Sequence, residues 1–238
     1  MKLFFTKSLL VMLAIFSTLN VNAQEKPLRV VCIGNSFTFF HDSNKRLEDI
    51  AASQGHNLSA TPLVVGGYTF HRHIISDNTM GNLSYNRYDV ALLQDQSQTP
   101  ALCAQDTVRC RLFALDAAEL AERVRCYSPD AKVWIEHTWA YSSGDFGGFG
   151  SMENFDRLLR DGAAIYARKS NAMVSPIGEA FAIVRAERPD INLYDRDNKH
   201  QSGLGTYLKS CINYLCKLRR KLVKSQLGTD FTYCLKLF

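Results

Sequence analysis

The chain has 238 residues, of which 46% are hydrophobic and 21% charged, with a formal net charge of +5 at pH 7. This composition is that of a globular protein, and it excludes a disordered or low-complexity chain. The length suits one domain of moderate size, without internal repeats or an interdomain linker.

The N-terminal segment has the pattern of a secretory signal peptide. Two lysines precede an apolar run from Leu9 to Leu19, and Val21-Asn22-Ala23 fits a signal-peptidase site. The run is shorter than the ~20 residues that a membrane-spanning helix needs. We therefore expect residues 1–23 to be removed and residues 24–238 to form one domain. The mature protein is then secreted or periplasmic and has no membrane span.

Strand and helix patterns alternate along the rest of the chain. The apolar run Leu28–Ile33 predicts a buried parallel strand that leads into a loop. The later predictions are a helix through Leu47 and Ala51, a strand near 58–65, a short helix near 71–75, a strand at 89–93, a helix over 113–127, a strand at 132–136, a helix over 154–168, a strand at 172–175 and a last helix from Gly203. This alternation favours an α/β fold, a three-layer α/β/α sandwich with a parallel sheet of about five strands.

In such a sheet the ligand crevice lies beyond the carboxyl ends of the strands. Unusual residues follow four of the predicted strands: Gly34-Asn35-Ser36, Gly66-Gly67, Gln94-Asp95-Gln96 and His137-Thr138-Trp139. The sequence therefore predicts a functional site at this edge of the sheet.

Ser36, Asp197 and His200 have the residue types of a serine-hydrolase triad. A serine hydroxyl needs a base before it can attack a carbonyl, because its own pKa is too high. One short loop, Asp197 to His200, can present both the imidazole base and the carboxylate that orients it. The order Ser, Asp, His is permissible, since triads are defined by geometry. Each element alone is more often structural, as a turn, a helix cap or a surface histidine.

The chain has seven cysteines, an odd number, so at least one does not pair within the chain. Cys103 and Cys110 flank a short polar loop and are the predicted disulfide, and their spacing does not match a zinc site. Cys32 lies in an apolar strand and is interpreted as a core residue. His71 and His73 have no third ligand in register, so we interpret them as structural and predict no metal.

The C-terminal region carries an acid-free basic run. It contains Lys209, Lys217, Arg219, Arg220, Lys221 and Lys224. Such a run can contact nucleic acid or anionic lipid, but an isolated one is more often a solvated helix face. We expect the solvated face and no nucleic-acid partner.

Three segments, in order along the chain, resemble the motif regions of the SGNH (GDSL-like) hydrolase superfamily. The segment VCIGNSFT (31–38) is similar to the nucleophile block, with Asn35 in place of the usual aspartate. The segment VVGGYT (64–69) is similar to the second block, which implies that Gly67 donates its N–H to the oxyanion. The segment DRDNKHQSGLGTYL (195–208) matches the last block, which supplies the carboxylate and base.

The third motif region departs from the family pattern. The family has Gly-x-Asn-Asp after the third strand, whereas this chain reads LLQDQSQTP and places Gln96 at the asparagine position. A glutamine amide is the same donor on a longer stem, and Gln94 is the alternative donor. The chain also resembles a secreted GNSFT-type branch from about Leu28 to Leu208, and the likeness fades past Leu218.

The resemblance implies acyl transfer to water by Ser36, Asp197 and His200, without a metal or organic cofactor. It implies an oxyanion hole formed by Ser36 N–H, Gly67 N–H and Gln96. Aromatic residues on the strand-end loops are candidates for a substrate platform or for the core: Phe37, Phe39, Phe40, Tyr68, Phe70, Trp139 and Tyr141. The predicted substrate-binding residues are Asn35, Tyr68 and Trp139.

Three functions remain open. The preferred one is a deacetylase of carbohydrate or other small esters, a substrate class that rests on family analogy. The second is a lipid or thioester hydrolase, or an acyltransferase, with the same triad. The third is a catalytically silent glycan-binding domain, which the retention of Ser36, Asp197 and His200 argues against.

Overall fold

Five parallel strands form one sheet in the computed structural model, which describes residues 26–142 and 146–218. The strands are β1 (Leu28–Gly34), β2 (Leu58–Val64), β3 (Val90–Leu93), β4 (Lys132–Glu136) and β5 (Met173–Ser175). Their spatial order is β2-β1-β3-β4-β5, and every neighbouring pair is parallel. The predicted α/β class with a five-stranded parallel sheet is confirmed.

The helices that flank the sheet are α1 (Ser36–Phe39), α2 (Ser43–Ser53), α3 (Phe70–Ile74), α4 (Asp77–Tyr85), α5 (Thr99–Gln105), α6 (Thr107–Tyr127), α7 (Met152–Lys169), α8 (Ile177–Glu187) and α9 (Gly203–Leu218). The strand and helix patterns did not predict α1, α4, α5 and α8. Helix α6 also begins six residues before the predicted start, because Asp106 caps it by accepting hydrogen bonds from Val108 N and Arg109 N.

Alternate residues of β1 enter two different hydrophobic cores, which is why the helices form two layers. Val31 and Ile33 pack with buried residues of α6 and α7. Val30 and Cys32 face the other way, toward Leu47 of α2 and Tyr214 of α9. Strands buried on both faces read as continuous apolar runs, as β1 does.

Cys103 and Cys110 form a disulfide between α5 and α6, as predicted, and Cys32 is buried in the core. Within the described residues, no helix combines the length and apolarity needed to cross a membrane. The predicted signal peptide (1–23), the basic residues from Arg219 onward and Cys234 lie outside the described residues.

Lys209 corrects the interpretation of the basic run as a solvated face. It lies on α9 with 1% of its surface exposed, and its Nζ is 2.8 Å from Glu136 Oε2 on β4. A buried ammonium is stable only when it is paired and hydrogen-bonded, and this carboxylate provides the pair.

Candidate active site

Ser36 lies at the carboxyl edge of the sheet, where β1 ends and the single turn of α1 begins. Asn35 caps this turn: its Oδ1 accepts a hydrogen bond from Phe37 N at 3.1 Å. The Asn35 Nδ2 donates to Tyr68 O at 3.1 Å, which ties the nucleophile turn to the loop after β2. The turn thus leaves the Ser36 side chain half-buried at this edge of the sheet while its neighbours are fixed.

The structure brings Ser36, His200 and Asp197 together. Ser36 Oγ lies 2.7 Å from His200 Nε2, and His200 Nδ1 hydrogen-bonds to Asp197 Oδ2. The other Asp197 oxygen accepts hydrogen bonds from Lys199 N at 3.0 Å and His200 N at 2.9 Å. These contacts form a continuous hydroxyl–imidazole–carboxylate chain, the arrangement that can move a proton off a serine.

The His200 imidazole is held by a stacked aromatic ring and by its hydrogen bond to the Asp197 carboxylate. The Phe40 ring stacks on the His200 ring with centroids 3.9 Å apart and planes 9° apart. Partial burial alone would raise the pKa of Asp197, but its hydrogen bonds from His200 and the loop N–H groups lower it below the usual value. Asp197 therefore stays ionised and has the charge that would stabilise a protonated His200 ring.

The two candidate amide donors occupy different environments. Gln94 is fully buried, and its Oε1 accepts hydrogen bonds from Asn35 N at 2.9 Å and Thr38 Oγ1 at 2.8 Å. Its Nε2 donates to Asp95 O, so this side chain supports the nucleophile turn from below. Gln96 is half-buried, its Oε1 accepts from Gln98 N at 2.8 Å, and its Nε2 has only a long 3.4 Å contact with Ser97 Oγ. The Gln94 amide is thus occupied by structural hydrogen bonds, whereas Gln96 Nε2 has only this long contact, and Gln96 stays the predicted donor.

Gly67 and Tyr68 follow β2 beside the nucleophile turn. Gly67 is exposed and has a φ of 72°, a left-handed conformation that glycine adopts without strain. Tyr68 is half-buried, and the Arg72 guanidinium lies 5.7 Å from its ring centroid. Both residues belong to the loop after β2, and the Asn35 side chain binds this loop at Tyr68 O.

Two predicted substrate-binding residues are corrected by their burial. Trp139 is 0% exposed, lies between the rings of Phe37 and Phe181, and donates from Nε1 to Lys199 O at 3.0 Å. Asn35 is 2% exposed, and both ends of its amide are bonded to backbone. Neither side chain reaches a substrate, so Trp139 supports the His200 loop and Asn35 caps α1.

The remaining aromatic candidates divide between buried and accessible positions. Phe37, Phe70 and Tyr141 are buried core residues. Phe39 is 37% exposed, and Phe40 and Tyr68 are half-buried, so these three remain accessible.

His73 and His71 have structural partners. His73 is buried, with Nε2 3.0 Å from Gly34 O and Nδ1 3.1 Å from Thr79 Oγ1, and burial lowers its pKa. His71 pairs with Asp116 at the surface. In the described part of the chain, no three His, Cys, Asp or Glu side chains group as metal ligands.

Asp95 belongs to the strand-end segment Gln94-Asp95-Gln96, but the sequence patterns gave it no role of its own. Its Oδ1 accepts hydrogen bonds from Phe70 N and Gln96 N, both at 2.8 Å, and its Oδ2 accepts from Tyr166 OH at 3.1 Å. The carboxylate thus connects the loops that carry Gly67 and Gln96. Burial raises the pKa of Asp95 to about 6, although these donors and Thr99 oppose the rise.

No protein-family model matches the chain, and no curated protein matches its sequence. Solved structures do match. A protein from Slackia heliotrinireducens described as a candidate SGNH hydrolase has a TM-score of 0.66 and 22% identity over 79% of this chain and 98% of that one. A DUF4886 family protein from Bacteroides uniformis has a TM-score of 0.66 and 15% identity, over 89% and 93% of the two chains. The acetyl xylan esterase AlAXEase has a TM-score of 0.59 and 12% identity, over 80% and 100%.

The fold and these neighbours define the structural class: an α/β protein with the fold of the SGNH (GDSL-like) hydrolases. At these identities the likeness concerns the fold. The narrower resemblance to a secreted GNSFT-type branch, and the roles of the individual site residues, stay predictions.

Proposed function

We propose that this chain is a serine esterase in which Ser36 is the nucleophile, His200 the general base and Asp197 the residue that orients the base. The observation that carries the proposal is the 2.7 Å separation of Ser36 Oγ and His200 Nε2, with Asp197 on the far side of the imidazole. The likeness of the fold to SGNH hydrolases supports the same reaction class.

In the proposed reaction, His200 Nε2 takes the proton of Ser36 as Oγ attacks the acyl carbonyl carbon. The oxyanion binds to the N–H groups of Ser36 and Gly67 and to the Gln96 amide. His200 then gives the proton to the leaving alcohol, and an acyl-enzyme remains on Ser36. Water, deprotonated by His200, releases the acid and restores the serine.

The proposed substrates are acetyl esters, with carbohydrate acetates as the preferred group. An acetyl xylan esterase among the structural neighbours supports this choice. Accessible aromatic rings near the serine also support it, because Phe39 lies in the same turn and Tyr68 is held beside it. Such rings can pack against the apolar faces of sugars. A secreted or periplasmic location, as the signal-peptide pattern predicts, would give the enzyme access to such glycans.

A fluorophosphonate probe tests the nucleophile directly, because it labels only an activated serine. We expect intact-mass spectrometry to show one adduct on the parent protein and none on Ser36→Ala. The control is Ser53→Ala, which removes an exposed serine at the end of α2 and is expected to be labelled like the parent. Labelling of Ser36→Ala, or no labelling of the folded parent, contradicts the proposal.

Turnover of p-nitrophenyl esters tests the acyl group. We expect kcat/KM to fall from acetate to octanoate, and an acetylated oligosaccharide to release acetate. A higher kcat/KM for octanoate would favour the lipid or thioester hydrolase instead. Glycan binding without turnover or labelling would favour the catalytically silent domain.

A further inference from the structure

The carbonyl of Phe37, the residue after Ser36, receives two buried hydrogen bonds from outside its own helix. Lys209 Nζ donates to Phe37 O at 2.8 Å, and Gln201 Nε2 donates to it at 3.1 Å. Lys209 is 1% exposed and Gln201 is 0% exposed. Both donors come from the segment that begins with His200 and continues into α9, so they join the nucleophile and base regions directly.

The turn that carries Ser36 needs such external bonds. Helix α1 has four residues, too few to be stable alone, and its last carbonyls have no partner within the helix. A cation at a helix C-terminus is favourable, and a charge-assisted hydrogen bond is stronger than a neutral one. Lys209 supplies both effects at Phe37 O.

The Lys209 ammonium is itself held by the sheet. Its Nζ lies 2.8 Å from Glu136 Oε2 on β4. The other Glu136 oxygen accepts a hydrogen bond from Asn213 Nδ2 at 2.6 Å, and Asn213 Oδ1 accepts one from Ser175 Oγ at 2.8 Å. This chain of contacts connects β4, α9 and β5, so the donor to Phe37 O has a rigid support.

Gln201 follows His200 directly, and its amide bonds to the residue that follows Ser36. This contact therefore joins the neighbour of His200 directly to the neighbour of Ser36. The Gln201 Oε1 atom is buried and has no hydrogen-bond partner among the described residues. The Gln201 Nε2 atom also lies 3.5 Å from Phe40 O, so the amide nitrogen faces two carbonyls next to the Ser36 turn.

We propose that Lys209 and Gln201 are positioning residues, which hold the Ser36 turn at hydrogen-bonding distance from His200 through their shared bond to the Phe37 carbonyl. The proposal rests on the esterase function proposed above and deepens it. Neither side chain touches the substrate, so both should act on kcat rather than on KM. Misplacing a reacting group by about 1 Å can lower the rate about 10²-fold.

The first test is Gln201→Met, which removes the donor and also removes the unpartnered oxygen. The free energy of unfolding should therefore change little, while kcat and the rate of fluorophosphonate labelling fall about 10-fold at unchanged KM. The second test is the double variant Glu136→Gln/Lys209→Met, which removes both buried charges and leaves an acceptor for Asn213. We expect kcat to fall 10- to 100-fold, again without a change in KM.

A matched control is Arg125→Met, which removes another cation that donates to carbonyls at a helix end, Ser170 O at 2.9 Å and Asn171 O at 2.7 Å, after α7 and not in the Ser36 turn. Its kcat should equal that of the parent protein. Parent-like kcat in folded Gln201→Met, or an equal loss of kcat in the control, overturns the positioning role. If the double variant does not fold, Gln201→Met alone decides. An inactive, unlabelled parent instead overturns the esterase proposal itself, so the two failures are distinguishable.

Discussion

Two carboxylates are buried at the same edge of the sheet, and their partners differ. Glu136, at the end of β4, lies against the Lys209 ammonium. Every hydrogen-bond donor to Asp95 in the described part of the chain is neutral: Phe70 N, Gln96 N, Tyr166 and Thr99. A carboxylate with a cation keeps its charge compensated, whereas one without a cation becomes sensitive to pH. We therefore expect the Glu136 region to be sensitive to mutation and the Asp95 region to be sensitive to pH.

The largest effect is expected for Lys209→Met as a single change. It leaves Glu136 charged, buried and without its cation, and breaking a buried ion pair from one side costs about 3–5 kcal/mol. Urea unfolding should show this loss, and adding Glu136→Gln should recover most of it. A single variant as stable as the double variant would mean that the uncompensated charge of Glu136 does not cause the loss.

Asp95→Asn should change how stability depends on pH. Because the pKa of Asp95 is raised from 3.8 to about 6, the folded protein holds this proton more tightly than the unfolded chain. Asp95 therefore makes the protein less stable as pH rises from about 4 through 6. The difference between the two pKa values corresponds to about 3 kcal/mol.

The measurement is urea unfolding of parent and variant at pH 4.5, 5.5, 6.5 and 7.5. At each pH the variant must be compared with the parent, because a second group also titrates. Burial lowers the pKa of His137 to about 3, so both proteins lose stability as pH falls below 6.5. The stability of Asp95→Asn relative to the parent should rise with pH and level off above about 7. Parallel curves would mean that Asp95 does not titrate in this range.

The contrast between the two carboxylates also shows what the sequence can predict. All five strands were predicted to within one residue at each end. Strands β1, β3 and β4 give buried apolar runs, whereas the edge strands β2 and β5 are partly exposed and were found from the alternation with helices. Helix α4 was missed because its sequence, DNTMGNLSY, has no clear apolar period. The three triad candidates were found from residue types and motif order.

Long-range partners account for the errors. Lys209 was assigned to a solvated face because its counter-ion, Glu136, is far away in sequence, on β4. The helical position of Lys209 was one available signal. Three residues share its face of α9 and are buried or point inward: Gly205, Ile212 and Asn213. Trp139 was assigned to substrate because an aromatic residue after a strand suits either a site or a core. Only packing decides between the two.

Tyr166→Phe should have an intermediate effect. It removes the hydroxyl that donates to Asp95 Oδ2 at 3.1 Å and leaves that buried oxygen with fewer donors. Losing such a hydrogen bond costs about 1–2 kcal/mol. The ionised carboxylate loses more than the protonated one, so the pKa of Asp95 should rise above about 6, and the loss of stability should be larger at pH 7.5 than at pH 5. An equal loss of stability at both pH values would show that Tyr166 does not affect the titration of Asp95.

The smallest effect is expected for His41→Asn, which removes a solvent-exposed pair of side chains, His41 and Asp195. His41 Nε2 lies 3.1 Å from Asp195 Oδ2, with side-chain exposures of 40% and 32%. Water and salt screen such a pair, so it contributes little to stability, unlike the buried pair of Glu136 and Lys209. His41 also has a φ of 52°, a conformation that asparagine tolerates as well as histidine does. His41→Asn therefore removes the pair without adding backbone strain. The urea midpoint of this variant should match that of the parent at low and high salt. A clear decrease in the midpoint would show that exposure alone does not distinguish strong from weak pairs in this protein.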